Sequence, residues 1–137
     1  MRILALDHGT KRIGVALSDE LKMIAQPLEF IPAEPFADFL ARLKGILREK
    51  EVEFILLGLP RNMDGTYGPA ALKVQDFAAA LRGALTIPIQ TWDERLTSVQ
   101  ANRFLIEGGV RREKRKEKVD KMAAAILLQS YLDAKAG

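Results

Sequence analysis

The alternation of apolar and polar positions predicts three strands in the first quarter of the chain. Residues 2–7 form an apolar run that ends in an acid, which is typical of a central strand covered on both faces. Residues 12–18 alternate apolar with small residues after a glycine-containing turn, and this predicts a hairpin with the first run. Residues 26–31 suit a third strand at the sheet edge, because Pro27 would cost a ladder hydrogen bond in a central strand.

From Pro35 onwards the pattern changes to alternating helices and strands. Apolar residues recur at helical spacing over residues 36–47, and the continuous apolar run at 54–57 is typical of a buried parallel strand. A second helix is predicted from Pro69 to about Leu81, and a short strand follows over residues 87–92.

Two more helices are predicted to complete the chain. Thr97 and Gln100 form a capping box for the first of them. The final helix carries an apolar stripe over residues 119–131, and a basic stretch leads into it. A meander followed by alternating elements predicts an α/β domain over residues 1–137, with a five-stranded mixed sheet and helices on both faces. Right-handed crossovers give the strand order 3-2-1-4-5, the RNase H-like arrangement.

The amino-acid composition limits the cellular compartment expected for the protein and the kinds of catalytic chemistry open to it. The chain has no cysteine, which excludes disulfides, thiolate metal sites and a cysteine nucleophile. No apolar run approaches the roughly 18–20 residues that a membrane span needs. The start of the chain shows no signal-peptide pattern, so we expect a cytoplasmic protein without a membrane partner.

The positive charge is concentrated in one place. The segment from Arg111 to Lys121 holds seven bases and three acids, a net charge of +4 within a total of +3. Such a stretch attracts polyanions such as nucleic acid or an acidic membrane surface. The plain alternative is a solvated helix start or a loop.

Acidic residues at three distant places are the candidate catalytic groups. Asp7 ends an apolar strand, where a carboxylate costs desolvation energy unless a positive group compensates. Asp93 and Glu94 follow the last strand at the same end of the predicted sheet, and Asp120 lies in the final helix. Ordinary structural roles compete at each position: a turn cap for Asp7, a helix N-terminus for the pair, and an ion pair for Asp120.

Three carboxylates are suited to hard divalent cations such as Mg²⁺ or Mn²⁺. Two such ions can activate water and stabilise the leaving oxygen in phosphodiester hydrolysis. His8 is the only histidine, so no zinc cluster is available. His8 itself is adjacent to Asp7 and could touch a phosphate, although ordinary turn contacts are the simpler interpretation.

At these residues the sequence resembles the YqgF/RuvX family of RNase H-like proteins, and four blocks in the expected order carry the resemblance. They are DHGTKRIGVALSD (Asp7–Asp19), GLPRNMDGTYG (Gly58–Gly68), DERLTS (Asp93–Ser98) and KVDKMAAAILLQSYL (Lys118–Leu132). The resemblance implies a metal-dependent nuclease that processes the 5′ end of pre-16S ribosomal RNA, or alternatively a Holliday junction resolvase acting on structured DNA.

The resemblance also implies roles for individual residues. Asp7, Glu94 and Asp120 would be catalytic and hold Mg²⁺ or Mn²⁺, with Asp93 as the alternate to Glu94. The residues expected to bind the substrate are Lys11, Arg12, Asn62, Arg95, Arg112, Lys114 and Arg115. For Asn62 a turn-forming role, and for Arg95 a pairing with a carboxylate, remain open.

Two other functions compete with catalysis on nucleic acid. The Asp7–Thr10 turn also resembles the first phosphate loop of sugar kinases and Hsp70-like ATPases, but those proteins need a second domain that 137 residues cannot supply. A non-catalytic nucleic-acid-binding module would use the basic stretch and would not need Asp7. A resolvase requires a dimer, whereas the sequence suggests a monomer or a weak homodimer.

Overall fold

The structure is a computed structural model, and it describes residues 1–60, 66–93 and 112–136, with side chains in the last segment from 122 to 135. Five strands form one mixed sheet in the predicted order β3-β2-β1-β4-β5. Their bounds are β1 Arg2–His8, β2 Arg12–Ser18, β3 Ala25–Pro32, β4 Val52–Leu59 and β5 Ile89–Asp93. β1 pairs antiparallel with β2 and parallel with β4, so it occupies the centre of the sheet.

Helices cover both faces, as predicted. They are α1 Phe36–Glu49, α2 Pro69–Ala84 and α3 Arg112–Ala136. Alternate residues of β1 enter two separate cores: Leu4 and Leu6 pack with α1 and α2, whereas Ile3 and Ala5 pack with α3. No helix in the described part of the chain is long and apolar enough to cross a membrane.

β3 lies at the edge of the sheet, where Pro27 predicted it. Its pairing with β2 shifts register between Val15 and Ala16, so that Val15 pairs with Glu29 and Ala16 with Pro27. Leu28 is therefore the extra residue of a β-bulge. The bulge lets an edge strand that contains a proline follow its neighbour over seven paired residues of β2.

The final helix differs from the prediction in two ways. Its backbone is already helical at Arg112, so the basic stretch forms its first turns instead of preceding it. This is consistent with the high helix propensity of Arg, Lys and Glu. The buried side is also rotated by about one position from the predicted stripe, because the apolar run around residues 122–128 has no polar face to define it. The buried residues are Ala124, Ala125, Leu127, Leu128 and Leu132.

Candidate active site

Asp7 lies near the carboxyl end of the central strand, on the α3 side of the sheet. Ile3 and Ala5 precede it on that face, and the alternation of a strand carries Asp7 to the same side. The antiparallel register pairs Asp7 with Gly14 of β2. The crevice beyond the carboxyl ends of strands is where open α/β sheets bind ligands.

A cavity of about 460 Å³ opens beside the Asp7 side chain. The described residues that line it come from the ends of β1, β2 and β3, the turn between β1 and β2, and α3. They are Asp7, Gly9, Thr10, Lys11, Arg12, Gly14, Phe30 and Ala123. Because Gly14 and Ala123 are small, space remains next to the carboxylate.

The turn between β1 and β2 holds the predicted cations Lys11 and Arg12 at the rim of this cavity. The Gly9 N–H donates to the Arg12 carbonyl oxygen at 3.1 Å. A Cβ on Gly9 would lie 2.4 Å from that same oxygen, so only glycine allows this close approach. The Ala33 N–H donates to the Lys11 carbonyl oxygen at 3.0 Å, which ties the turn to the end of β3. Both cationic side chains are exposed.

Phe30 is a site residue that the sequence reasoning missed. It pairs with Gly14 across the sheet, lines the same cavity, and lies under the Arg12 guanidinium, whose Cζ is 4.0 Å from the ring centroid. The available signal was an aromatic residue on a strand predicted to be at the edge. Without the register of β2 and β3, its face could not be assigned.

His8 belongs to the opposite face of the sheet. Its ring centroid is 4.6 Å from that of Phe77, within the core beneath α1 and α2. Burial lowers the pKa of His8 below its usual value of 6.5, and the charge of Lys73 adds to this, while the charge of Asp7 raises the pKa and opposes both. These packing contacts match the simpler interpretation of His8.

Beyond β4, the end of β5 presents its residues to alternate faces. Trp92 is on the α3 side, where its indole N–H donates to Ser130 Oγ at 3.4 Å and its ring meets Tyr131 edge-on. Asp93 pairs with Leu59, a member of the core beneath α1 and α2. Strand alternation therefore directs Asp93 away from the face that carries Asp7.

Several predicted site residues lie outside what the structure describes. Asn62, Glu94 and Arg95 are outside the described residues altogether. Of Arg112, Lys114, Arg115 and Asp120, the structure describes the helical backbone and not the side chains. Within the described segments, no three His, Asp or Glu side chains come together as a metal-binding group.

Comparison with known proteins places the chain among nucleases by sequence. A family model described as "RuvX: Holliday junction resolvase" matches residues 1–134. A protein of Halothermothrix orenii that carries the name "Putative pre-16S rRNA nuclease" is 50% identical over 133 residues, covering 97% of this chain and 95% of its own. The resemblance expected from the four sequence blocks is confirmed.

Solved structures share the architecture. Thermus thermophilus RuvC in complex with a Holliday junction substrate superposes with a TM-score of 0.51 at 20% identity, over 100% of this chain and 96% of that one. The fowlpox virus Holliday junction resolvase gives a TM-score of 0.55 at 14% identity, over 98% and 99% of the two chains. At such low identity the likeness concerns the fold alone, and it confirms the RNase H-like fold class.

Proposed function

Since this chain belongs to the RuvX family, we propose that it is a hydrolase that cuts phosphodiester bonds of nucleic acid with divalent cations. The observation that carries the proposal is the placement of Asp7. Its carboxylate lines an open cavity at the carboxyl end of the central strand, and Lys11 and Arg12 stand on the rim of that cavity. An oxygen ligand beside two exposed cations suits a site that receives a metal ion and a phosphate together.

The geometry of β5 favours Glu94 over Asp93 as the second carboxylate. Trp92 is on the α3 side together with Asp7, and Asp93 is on the other side with Leu59. Asp93 therefore faces away from the proposed site, which leaves its neighbour Glu94, the residue that the sequence resemblance favours. We therefore propose Glu94 as the ligand and assign Asp93 to the opposite face.

The third carboxylate of the proposal is Asp120. The helix α3 runs antiparallel to β1, because its last turns line a cavity with Ile3 at the start of that strand. Its residue Ala124 approaches Gly14, beside Asp7. Asp120 precedes Ala124 by four residues, and positions four apart share one helix face. The backbone therefore supports a place for Asp120 one turn beyond Ala124, toward the mouth of the cavity.

The donor set fits Mg²⁺ or Mn²⁺, because it consists of carboxylate oxygens beside space that water can share. Such ions, when bound, lower the pKa of water and stabilise the leaving oxygen. The protein's own contribution is to fix the carboxylates on rigid elements, with Asp7 on the central strand and Asp120 on α3. Lys11 and Arg12 hold the phosphate backbone against them.

We propose RNA as the substrate, because the similar protein of H. orenii is named for pre-16S ribosomal RNA. The specific reaction would be processing of the 5′ end of that precursor in the cytoplasm, by a monomer or a weak homodimer. The basic residues Arg112, Lys114 and Arg115 lie in the first turns of α3, on the helix whose later turns cover the sheet beside Asp7, and we assign them to the RNA backbone. Junction resolution is the second candidate, because the matching family model carries that description.

The test compares the wild-type protein with Asp7→Asn on a precursor RNA and on a four-way DNA junction, with Mg²⁺ and with Mn²⁺. We expect metal-dependent cleavage of the RNA, its abolition by Asp7→Asn, and undiminished RNA binding by the variant. Glu94→Gln and Asp93→Asn form a matched pair of which only the first should abolish cleavage. Full activity of Asp7→Asn would overturn the proposal, and symmetrical junction cuts by a dimer would replace the RNA assignment.

A further inference from the structure

A row of three residues runs across the sheet from the proposed catalytic centre to its edge. The register places Asp7 opposite Gly14, and Gly14 opposite Phe30. With neighbouring strands about 4.8 Å apart, the backbones at the two ends of the row are about 10 Å apart. Gly14 is buried and has no side chain, and the place that a Cβ would take lies 3.5 Å from Phe30 Cε1 and 3.7 Å from the Cβ atoms of Asp7 and Ala124. The row is therefore closed over Gly14, and Asp7 and Phe30 both line the cavity that opens beside it.

Phe30 lines this cavity beside the proposed catalytic centre. It is 36% exposed, so part of its ring surface is open to solvent. The Arg12 guanidinium lies over one face of the ring, 4.0 Å from the ring centroid, so the ring and the guanidinium form one stacked pair. Lys11 lines the same cavity and adds a further cation. An exposed ring, a stacked guanidinium and a lysine form the combination that binds an unpaired nucleotide, whose base stacks while its phosphate meets the cations.

We propose that Phe30 and Arg12 form a stacking platform for one unpaired nucleobase next to the scissile phosphate. The backbones of Asp7 and Phe30 are about 10 Å apart across the sheet, and both residues line the cavity, so a phosphate bound at Asp7 leaves an adjacent base within reach of the Phe30 ring. The nuclease therefore selects single-stranded or unpaired substrate at the cut. This inference rests on the proposed function for the position of the phosphate, and on the described residues alone for the platform.

The binding arm of the test uses the Asp7→Asn protein and a short single-stranded RNA with a terminal fluorophore. Loss of one base–aromatic stack corresponds to a weakening of Kd by roughly 5-fold to 100-fold. We expect this weakening for Phe30→Ala and Phe30→Leu, and near wild-type binding for Phe30→Trp. Phe30→Leu keeps the apolar bulk, so a defect there reports the lost ring face, provided that its melting temperature is unchanged.

Leu28 provides the matched control. It is on the same strand, is 37% exposed, and is not among the residues that line the cavity. Leu28→Ala should bind and cleave as the unmodified protein does. Equal weakening by Leu28→Ala and Phe30→Ala would show that the strand edge is merely disturbed, and it would overturn the platform.

The cleavage arm removes the base instead of the ring. Once the cut is mapped, an abasic nucleotide is placed at each position flanking the scissile phosphate in turn. At the position whose base would stack on Phe30, we expect the abasic substrate to slow cleavage by the wild-type protein to the rate of Phe30→Leu. The same abasic substrate should not slow cleavage by Phe30→Leu any further. An equal abasic penalty in both proteins would contradict the platform. If wild-type protein fails to cleave at all, the proposed function fails, while the binding arm still decides the platform.

Discussion

Substitution of Gly14, which lies between Asp7 and Phe30, gives the sharpest prediction about the site, because the structure sets what each side chain would meet. A Cβ at this position would lie 3.5 Å from Phe30 Cε1 and 3.7 Å from the Cβ atoms of Asp7 and Ala124. These are ordinary van der Waals distances, so Gly14→Ala fits without displacement. A branched side chain has no such room, because its further atoms extend toward the same three neighbours.

The expected effects on stability follow from these distances. Gly14→Ala removes the entropic penalty of glycine in a strand, so it should stabilise the fold by about 0.5–1 kcal/mol, which corresponds to a rise in Tm of about 2–4 °C. Gly14→Val should destabilise by about 1–3 kcal/mol through overpacking. Thermal unfolding followed by circular dichroism measures both changes.

For Gly14→Ala, the expected change in activity is opposite in direction to the expected change in stability. A methyl group narrows the space between Asp7 and Phe30, and a branched side chain pushes these two neighbours apart by an ångström or more, a misplacement that can cost about 100-fold in rate. We therefore expect Gly14→Ala to be more stable than the wild-type protein yet slower, and Gly14→Val to lose about 100-fold in kcat/KM. Cleavage by folded Gly14→Val at the wild-type rate would refute a substrate site formed between Asp7 and Phe30.

Three further perturbations test separate parts of the structure. Burial lowers the pKa of His8 below 6.5 in the folded protein, so the unfolded chain binds a proton at this residue more readily. The contribution of His8 to stability is therefore full above about pH 6.5 and is lost as the pH falls through the folded-state pKa. Urea titrations over this pH range should show that His8→Phe lacks this pH-dependent component. Identical pH profiles for the two proteins would contradict it. Ser18→Ala leaves the buried Ile3 N–H without the Ser18 Oγ acceptor that lies 2.9 Å away. The substitution should lower the free energy of unfolding by about 1–3 kcal/mol and leave cleavage per folded molecule unchanged. A specific loss of cleavage would show that the start of β1 affects the site. Lys11→Ala should reduce the slope of log K against log salt for single-stranded RNA by about 0.7, and an unchanged slope would remove Lys11 from the phosphate contacts.

Much of the fold was predictable from local patterns. The strand order followed from the leading meander and from right-handed crossovers, and Pro27 indicated which strand lies at the edge of the sheet. The expectation placed on Asp7 rests on the same kind of local signal, because a carboxylate at the end of an otherwise apolar strand is costly to bury. These signals depend on residues that are close together in the sequence, so they can be recognised without knowing how the chain packs.

The remaining features depend on tertiary register. The bulge at Leu28 decides which side chains of β3 share the face of Asp7, and a one-residue slip would have turned Phe30 to the other side. The buried side of α3 could not be read from a run that is apolar all round. The choice between Asp93 and Glu94 likewise needs the contact of Trp92 with Ser130, which joins residues 38 positions apart.

We propose that carboxylates from three distant segments of the chain converge on one metal site at Asp7. A calorimetric Mn²⁺ titration of the wild-type protein and of single variants tests it without relying on any substrate. We predict that Asp7→Asn, Glu94→Gln and Asp120→Asn each weaken or abolish binding, whereas Asp93→Asn binds Mn²⁺ as the wild-type protein does. Wild-type Mn²⁺ affinity in folded Asp7→Asn would contradict the account.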